Sequence, residues 1–153
     1  MSKSMSLIIT ILGVVAIVIG AVFLFQGVSK NNLIVERMNI EKVSFALNPD
    51  NPSERTQVQN APDAQKAADI IAEHRRKIAP TYQDLLGTSK FNSSNTTHLT
   101  YAQAMNLENY LYLSVASFGL VLVVLGSGAY MILSGIALGA VGMALRAIAA
   151  KLT

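Results

Sequence analysis

Two long stretches without a charged residue constrain this chain more than any other feature of its sequence. No Asp, Glu, Lys or Arg occurs from Leu7 to Val28, and none from Tyr110 to Leu145. The first stretch reads LIITILGVVAIVIGAVFLFQGV. As a helix it reaches roughly 33 Å at about 1.5 Å per residue, enough for a hydrocarbon core of about 30 Å. It exceeds the apolar core of a signal peptide, about 7–15 residues, and no A-x-A-like site follows, so an uncleaved anchor is expected over 7–28. The second stretch is too long for one crossing and too short for two with a turn. One crossing over 111–134 and a helical extension over 135–153 resolve this. In the extension Leu138, Val141, Leu145, Ile148 and Leu152 recur at intervals of three and four. Such a stripe lies along the membrane surface or against a neighbouring subunit. The alternative is a long tilted crossing that leaves the membrane near Arg146.

The expected fold is therefore mainly α: a two-helix transmembrane anchor with a small extracytoplasmic α domain over 29–110 that includes a short β element. Residues 1–6 form a cytoplasmic N-terminus. Charge supports this layout. Only 14% of residues are charged, against about 25% in soluble domains. All nine acidic residues and nine of the twelve basic ones fall between the apolar stretches and cancel. The formal net charge of +3 comes from Lys3, Arg146 and Lys151, on the far sides of the anchors. By the positive-inside rule both termini are cytoplasmic, at the plasma membrane, because loops beyond about 60 residues translocate largely regardless of charge. Phe23, Phe25, Tyr110 and Tyr112 lie at the loop-side ends and would form an outer aromatic belt. The basic residues make no patch or stripe for nucleic acid. The chain has no cysteine, which excludes disulfides, thiol nucleophiles and cysteine-based metal sites.

Glycine spacing carries the most specific signal. Gly13, Gly20 and Gly27 repeat every seven residues, as do Gly128, Gly135 and Gly142; Gly119 and Gly126 do so one register over. Seven residues are close to two helical turns, so each set leaves a bare stripe on one face. In lipid, helices associate by close packing of small residues. The stripes predict a helix–helix interface, within the chain or between copies.

Between the anchors, alternation in VSFAL predicts a strand within 40–47. Leu33 to Met38 alternatively prolong the first helix. NPDNPSERTQVQN reads as an exposed turn or short hairpin. A helix is expected from Ala61-Pro62-Asp63 until Pro80, with a small apolar face of Ala64, Ala67, Ala68, Ile71, Ala72 and Ile78. Arg75, Arg76 and Lys77 complement its dipole. Tyr82 to Leu86 form a short turn of helix stopped by Gly87, and 88–98 read as a flexible link bearing a solvated His98 and two glycosylation sequons. Thr100 with Gln103 marks a capping box at which the second long helix begins, about ten residues above the membrane, with Ala104, Leu107, Leu111 and Ser114 on one face, so that both anchors protrude and pack against the 61–78 helix. With so few large apolar residues, the loop needs the anchors or partners for stability.

Asp69, Glu73, His74 and Asp84 form the one polar cluster to weigh as a site. They lack metal-ligand spacing, a phosphate loop or a nucleophile motif, so no catalytic residue, metal or cofactor is expected, and His74 is expected to pack on Tyr82 or a carbonyl. No ionisable residue lies in either crossing, which argues against a self-contained transporter.

Glu36 with Glu41-Lys42-Val43, the Ala67…Ile71…His74 helix, Thr81-Tyr82…Leu85, and Ser117-Phe118-Gly119 running to Gly128 resemble a group of bacterial two-span membrane proteins of actinobacterial type with no established activity. The resemblance covers most of the chain and implies topology and a bacterial setting. Some members carry a ring-opening dioxygenase label; this sequence offers no metal-ligand set for it. The expectation is a non-enzymatic structural or assembly protein, a homo-oligomer or an accessory subunit of a larger membrane complex. An anchored sensor or binding module, or an oligomeric channel component, is the alternative.

Overall fold

A computed structural model describes residues 3–48 and 51–151; the side chains of Lys3, Leu47, Asn48, Asn51, Pro52 and Glu54 are not described. The cytoplasmic role expected of the Lys3 side chain, the contribution of Leu47 to the strand pattern and the place of Leu152 in the stripe lie outside the described residues. The chain is mainly helical, with two long apolar helices and two short strands. The order is α1 (Lys3–Ile40), β1 (Ser44–Asn48), β2 (Asn51–Gln57), α2 (Ala61–Ile78), α3 (Tyr82–Leu86) and α4 (Thr96–Lys151). Both α1 and α4 are long and apolar enough to cross a membrane. Neither breaks at the boundaries read from hydropathy.

The chain divides into two compact units, one of Met1–Asn31 with Leu120–Thr153, the other of Asn32–Gly119. The first unit is an antiparallel pair formed by α1 and α4. Most of its large apolar side chains face outward: Leu7, Ile8, Leu12, Val18, Leu122, Val123 and Leu133 are all more than half exposed.

The second unit holds the hairpin and α2. Strands β1 and β2 pair antiparallel, Phe45 opposite Thr56 and Ala46 opposite Arg55, with an irregularity before Asn48. Asn60 caps α2 by accepting from the Asp63 N–H at 2.9 Å, and Pro62 stands in the first turn, where its missing N–H costs nothing. The alanine face of α2 lets neighbours approach closely. Ala64, Ala67 and Ala68 are buried with Phe45, Val58, Leu111 and Phe118, and Ile34, Val35, Met38 and Val115 pack around them. The loop's core is thus completed by side chains from α1 and α4.

The compact unit that holds this core runs from Asn32 to Gly119. Leu111 and Phe118, assigned by hydropathy to the crossing 111–134, are 3% and 6% exposed within the loop unit. Hydropathy alone cannot separate a leucine facing lipid from one facing a protein core. The start of α4 also shifts. It lies at Thr96, because the Asn95 side chain accepts from the Thr97 and His98 N–H groups at 2.9 and 3.3 Å; Thr100 and Gln103 sit inside the helix. His98 belongs to this first turn. Its Nδ1 accepts from the Asn92 N–H at 3.1 Å and its ring stacks on Phe91, so it is half-buried.

At its lower end, α1 closes with a 6→1 hydrogen bond from Val43 N–H to the Met38 carbonyl, 2.9 Å. The residue that turns the chain there is Lys42, with φ 51°. This left-handed conformation normally falls to glycine.

Candidate functional site

The glycine stripes meet within one chain. A Cβ added to Gly20 would stand 2.6 Å from the Gly128 carbonyl oxygen, and one added to Gly128 would stand 2.8 Å from that of Gly20. Gly13 and Gly135 make the same reciprocal approach, at 2.6 and 2.5 Å. Gly27 faces Leu125, and Gly142 faces Thr10 and Ser6. Real Cβ atoms do not approach backbone so closely, so Gly13, Gly20, Gly128 and Gly135 admit no larger residue without separating the helices. The seam ends in a polar clasp. The buried Ser6 hydroxyl donates to the Gly142 carbonyl at 2.8 Å, and Thr10 donates to the Ser6 carbonyl at 3.0 Å. In lipid such bonds satisfy hydroxyls that have no water to turn to.

Two observations differ from the heptad reading. Gly119 and Gly126 meet nothing within 4 Å. Gly139, four residues beyond Gly135 and off the seven-residue interval, offers its backbone N 2.8 Å from a Cβ on Gly13. Residues 135–142 therefore pack on α1, and the helical extension expected over 135–153 continues α4 without a break as far as Lys151. Arg146 and Lys151 follow on the same helix, both exposed.

The loop unit's main polar contact joins α2 to α4. Arg75 donates through Nε to Glu108 Oε2 at 2.7 Å, and through a second nitrogen to Oε1 at 3.4 Å. Its third nitrogen donates to the hydroxyl of Tyr101, over whose ring the guanidinium lies at 5.0 Å. Tyr101 is fully buried and its ring tilts against that of Tyr82, 6.2 Å away. Hydrogen bonding to Glu108 raises the Arg75 pKa further, against the opposing effect of burial. The chemistry is that of a clamp: a bidentate ion pair with its remaining donor satisfied holds two helices in one register. Sequence reading missed it. Arg75 registered only as a dipole-complementing cation, and no local pattern links it to a glutamate thirty-three residues on.

The polar cluster weighed in the sequence does not converge. Asp69 accepts from Gln65 at 2.9 Å and from the Tyr112 hydroxyl at 3.1 Å. Glu73 pairs with Lys77 one turn on, at 2.8 Å, and that hydrogen bond lowers its pKa. Asp84 closes a capping box with Thr81 at the start of α3. His74 is exposed and Tyr82 turns to Tyr101 instead. Among the described residues, no three His, Cys, Asp or Glu side chains gather as a metal ion requires. The aromatic residues divide: Phe23 and Phe25 are exposed on α1 in the first unit, whereas Tyr110 and Tyr112 belong to the loop unit. Partial desolvation, then the bond to Asp69, raises the Tyr112 pKa above its usual 10.0.

No protein-family model matches the chain, and no curated protein or solved structure is significantly similar to it.

Proposed function

We propose that this chain is a non-enzymatic membrane protein of structural or assembly role, built on a two-helix hairpin. The reciprocal glycine seam between α1 and α4 is the observation that carries this reading. Close backbone contact through glycine is a packing device suited to lipid, and the side chains turned away from the seam are apolar enough to face acyl chains.

The register of the seam sets the crossings. Gly27 opposite Leu125 and Ser6 opposite Gly142 match the first crossing, 7–28, with about 121–142 of α4. This match favours a second crossing about ten residues beyond 111–134, with Leu111 and Phe118 kept in the loop unit. Lys3, Arg146 and Lys151 then mark the cytoplasmic side, and the loop unit is extracytoplasmic. Gly119 and Gly126, open on α4, are the stripe left for a second copy or a subunit of a larger membrane complex. Asp69, Glu73 and Asp84 are each engaged in local contacts, which favours a structural role over catalysis.

The test is the mass of the intact assembly released from lipid nanodiscs. The reading expects a multiple of the 16.4 kDa chain, or a heavier complex with a second subunit, that falls apart in Gly126→Leu. A wild-type chain that stays monomeric at every concentration in its native membrane extract overturns it.

A further inference from the structure

We propose that the loop unit carries a binding groove for a long-chain fatty acid, with its acyl chain on an apolar floor and its carboxylate at a cationic rim. The groove lies among β1, α2 and α4, with a volume of about 520 Å³. This is within the range of about 300–1,000 Å³ in which proteins hold small ligands. Phe45, Ile70, Ile71 and Leu111 form the floor, and Leu107, 42% exposed, stands at the mouth.

Charge decides the headgroup. Lys42 and Arg55 line the rim. Glu41 is the single carboxylate among the lining residues. Arg55 is held in place from across the hairpin, donating to the Ser44 hydroxyl and the Ser44 carbonyl, each at 3.1 Å. Lys42 keeps a long cationic side chain at a left-handed backbone position where glycine would fit without strain. A neutral amphiphile would leave this cationic excess unanswered. A small hydrophilic anion would leave the apolar floor in contact with water. An acyl chain headed by a carboxylate satisfies both. The groove is built by the loop unit alone, so this inference stands apart from the proposed assembly role.

The test titrates palmitate into the full chain in zwitterionic nanodiscs, with empty nanodiscs as the partition baseline. The expected result is saturable one-to-one binding above that baseline. Palmitoyl glycerol and acetate should each bind at least tenfold more weakly. Lys42→Glu with Arg55→Glu should weaken palmitate at least tenfold, and Leu107→Trp should block the mouth, both with unchanged helical content. Both are surface changes, so folding is retained. Equal binding by wild type and the charge-reversed variant overturns the proposal. So does palmitoyl glycerol matching palmitate, acetate matching palmitate, or no signal above the empty discs.

Discussion

Gly20 and Gly128 each point their missing side chain at the other's carbonyl oxygen, at 2.6 and 2.8 Å for an added Cβ. The approach is reciprocal, so a side chain on either residue strikes backbone, which cannot swing away. Gly20→Leu or Gly128→Leu should therefore force α1 and α4 apart. The expected cost is about 1–3 kcal/mol, the usual range for overpacking, and more if the helices cannot separate locally. Gly119→Leu, in open space within the chain, should leave the stability of the isolated monomer little changed. Melting of the three variants in one detergent checks the contrast.

Arg75 and Glu108 are both nearly buried, with side chains 12% and 10% exposed. Removing one partner strands the other charge. Glu108→Ala should destabilise the loop unit by about 3 kcal/mol, near the low end for breaking a buried pair because each side chain keeps some access to water. Arg75→Met with Glu108→Leu should recover most of that loss, since a buried pair and an apolar replacement are often close in energy. Thermal melts of the single and double variants give the comparison.

Alkaline stability should depend on Tyr112. Its pKa is raised in the folded chain, so the folded state holds the phenolic proton more tightly than the unfolded state does. The associated stability is fully present below about pH 10, the ordinary tyrosine value, and is lost as pH climbs through the higher folded value. Tyr112→Phe should flatten this part of the pH dependence. Melting temperatures of both proteins from pH 8 to 11 test it.

Lys42 adopts φ 51° at the end of α1, with the Val43 N–H bonded back to Met38. Glycine relieves the steric cost of this conformation. Lys42→Gly should stabilise the chain by about 1 kcal/mol. If the lysine is kept for its charge, the same variant should bind palmitate less tightly while melting higher. The two measurements move in opposite directions.

Much of the framework was legible in the sequence. Charge-free stretches gave both long helices, and Pro62, Asp63 and Pro80 bracketed α2. Six of the eight glycines singled out by interval lie where α1 and α4 approach, whereas Gly119 and Gly126 do not. What was not legible depended on pairings distant in the chain. Phe118 is as apolar as any lipid-facing residue, and only its place in the buried cluster around α2 assigns it to the loop core, whereas Leu111 lies on the helix face already expected to pack against α2. Asp69, Glu73, His74 and Asp84 looked like a cluster because they are close in sequence, yet Asp69, Glu73 and Asp84 are each engaged by a different partner, Tyr112, Lys77 and Thr81, and His74 is exposed. The Arg75–Glu108 clamp has no local signature, and Gly139 escaped because the contact steps by four residues where the repeat steps by seven.

The two glycine stripes meet within one chain. Position 27 offers the direct test, since a Cβ there would stand 2.7 Å from Leu125 Cγ and the native sequence has no cysteine to interfere. Replacing Gly27 and Leu125 with cysteine brings two thiols within bridging reach. After mild oxidation in membranes, the account predicts one intrachain disulfide: a band at the mass of a single chain whose thiols no longer react with maleimide. A covalent dimer as the main product, or thiols that stay fully reactive, would contradict it.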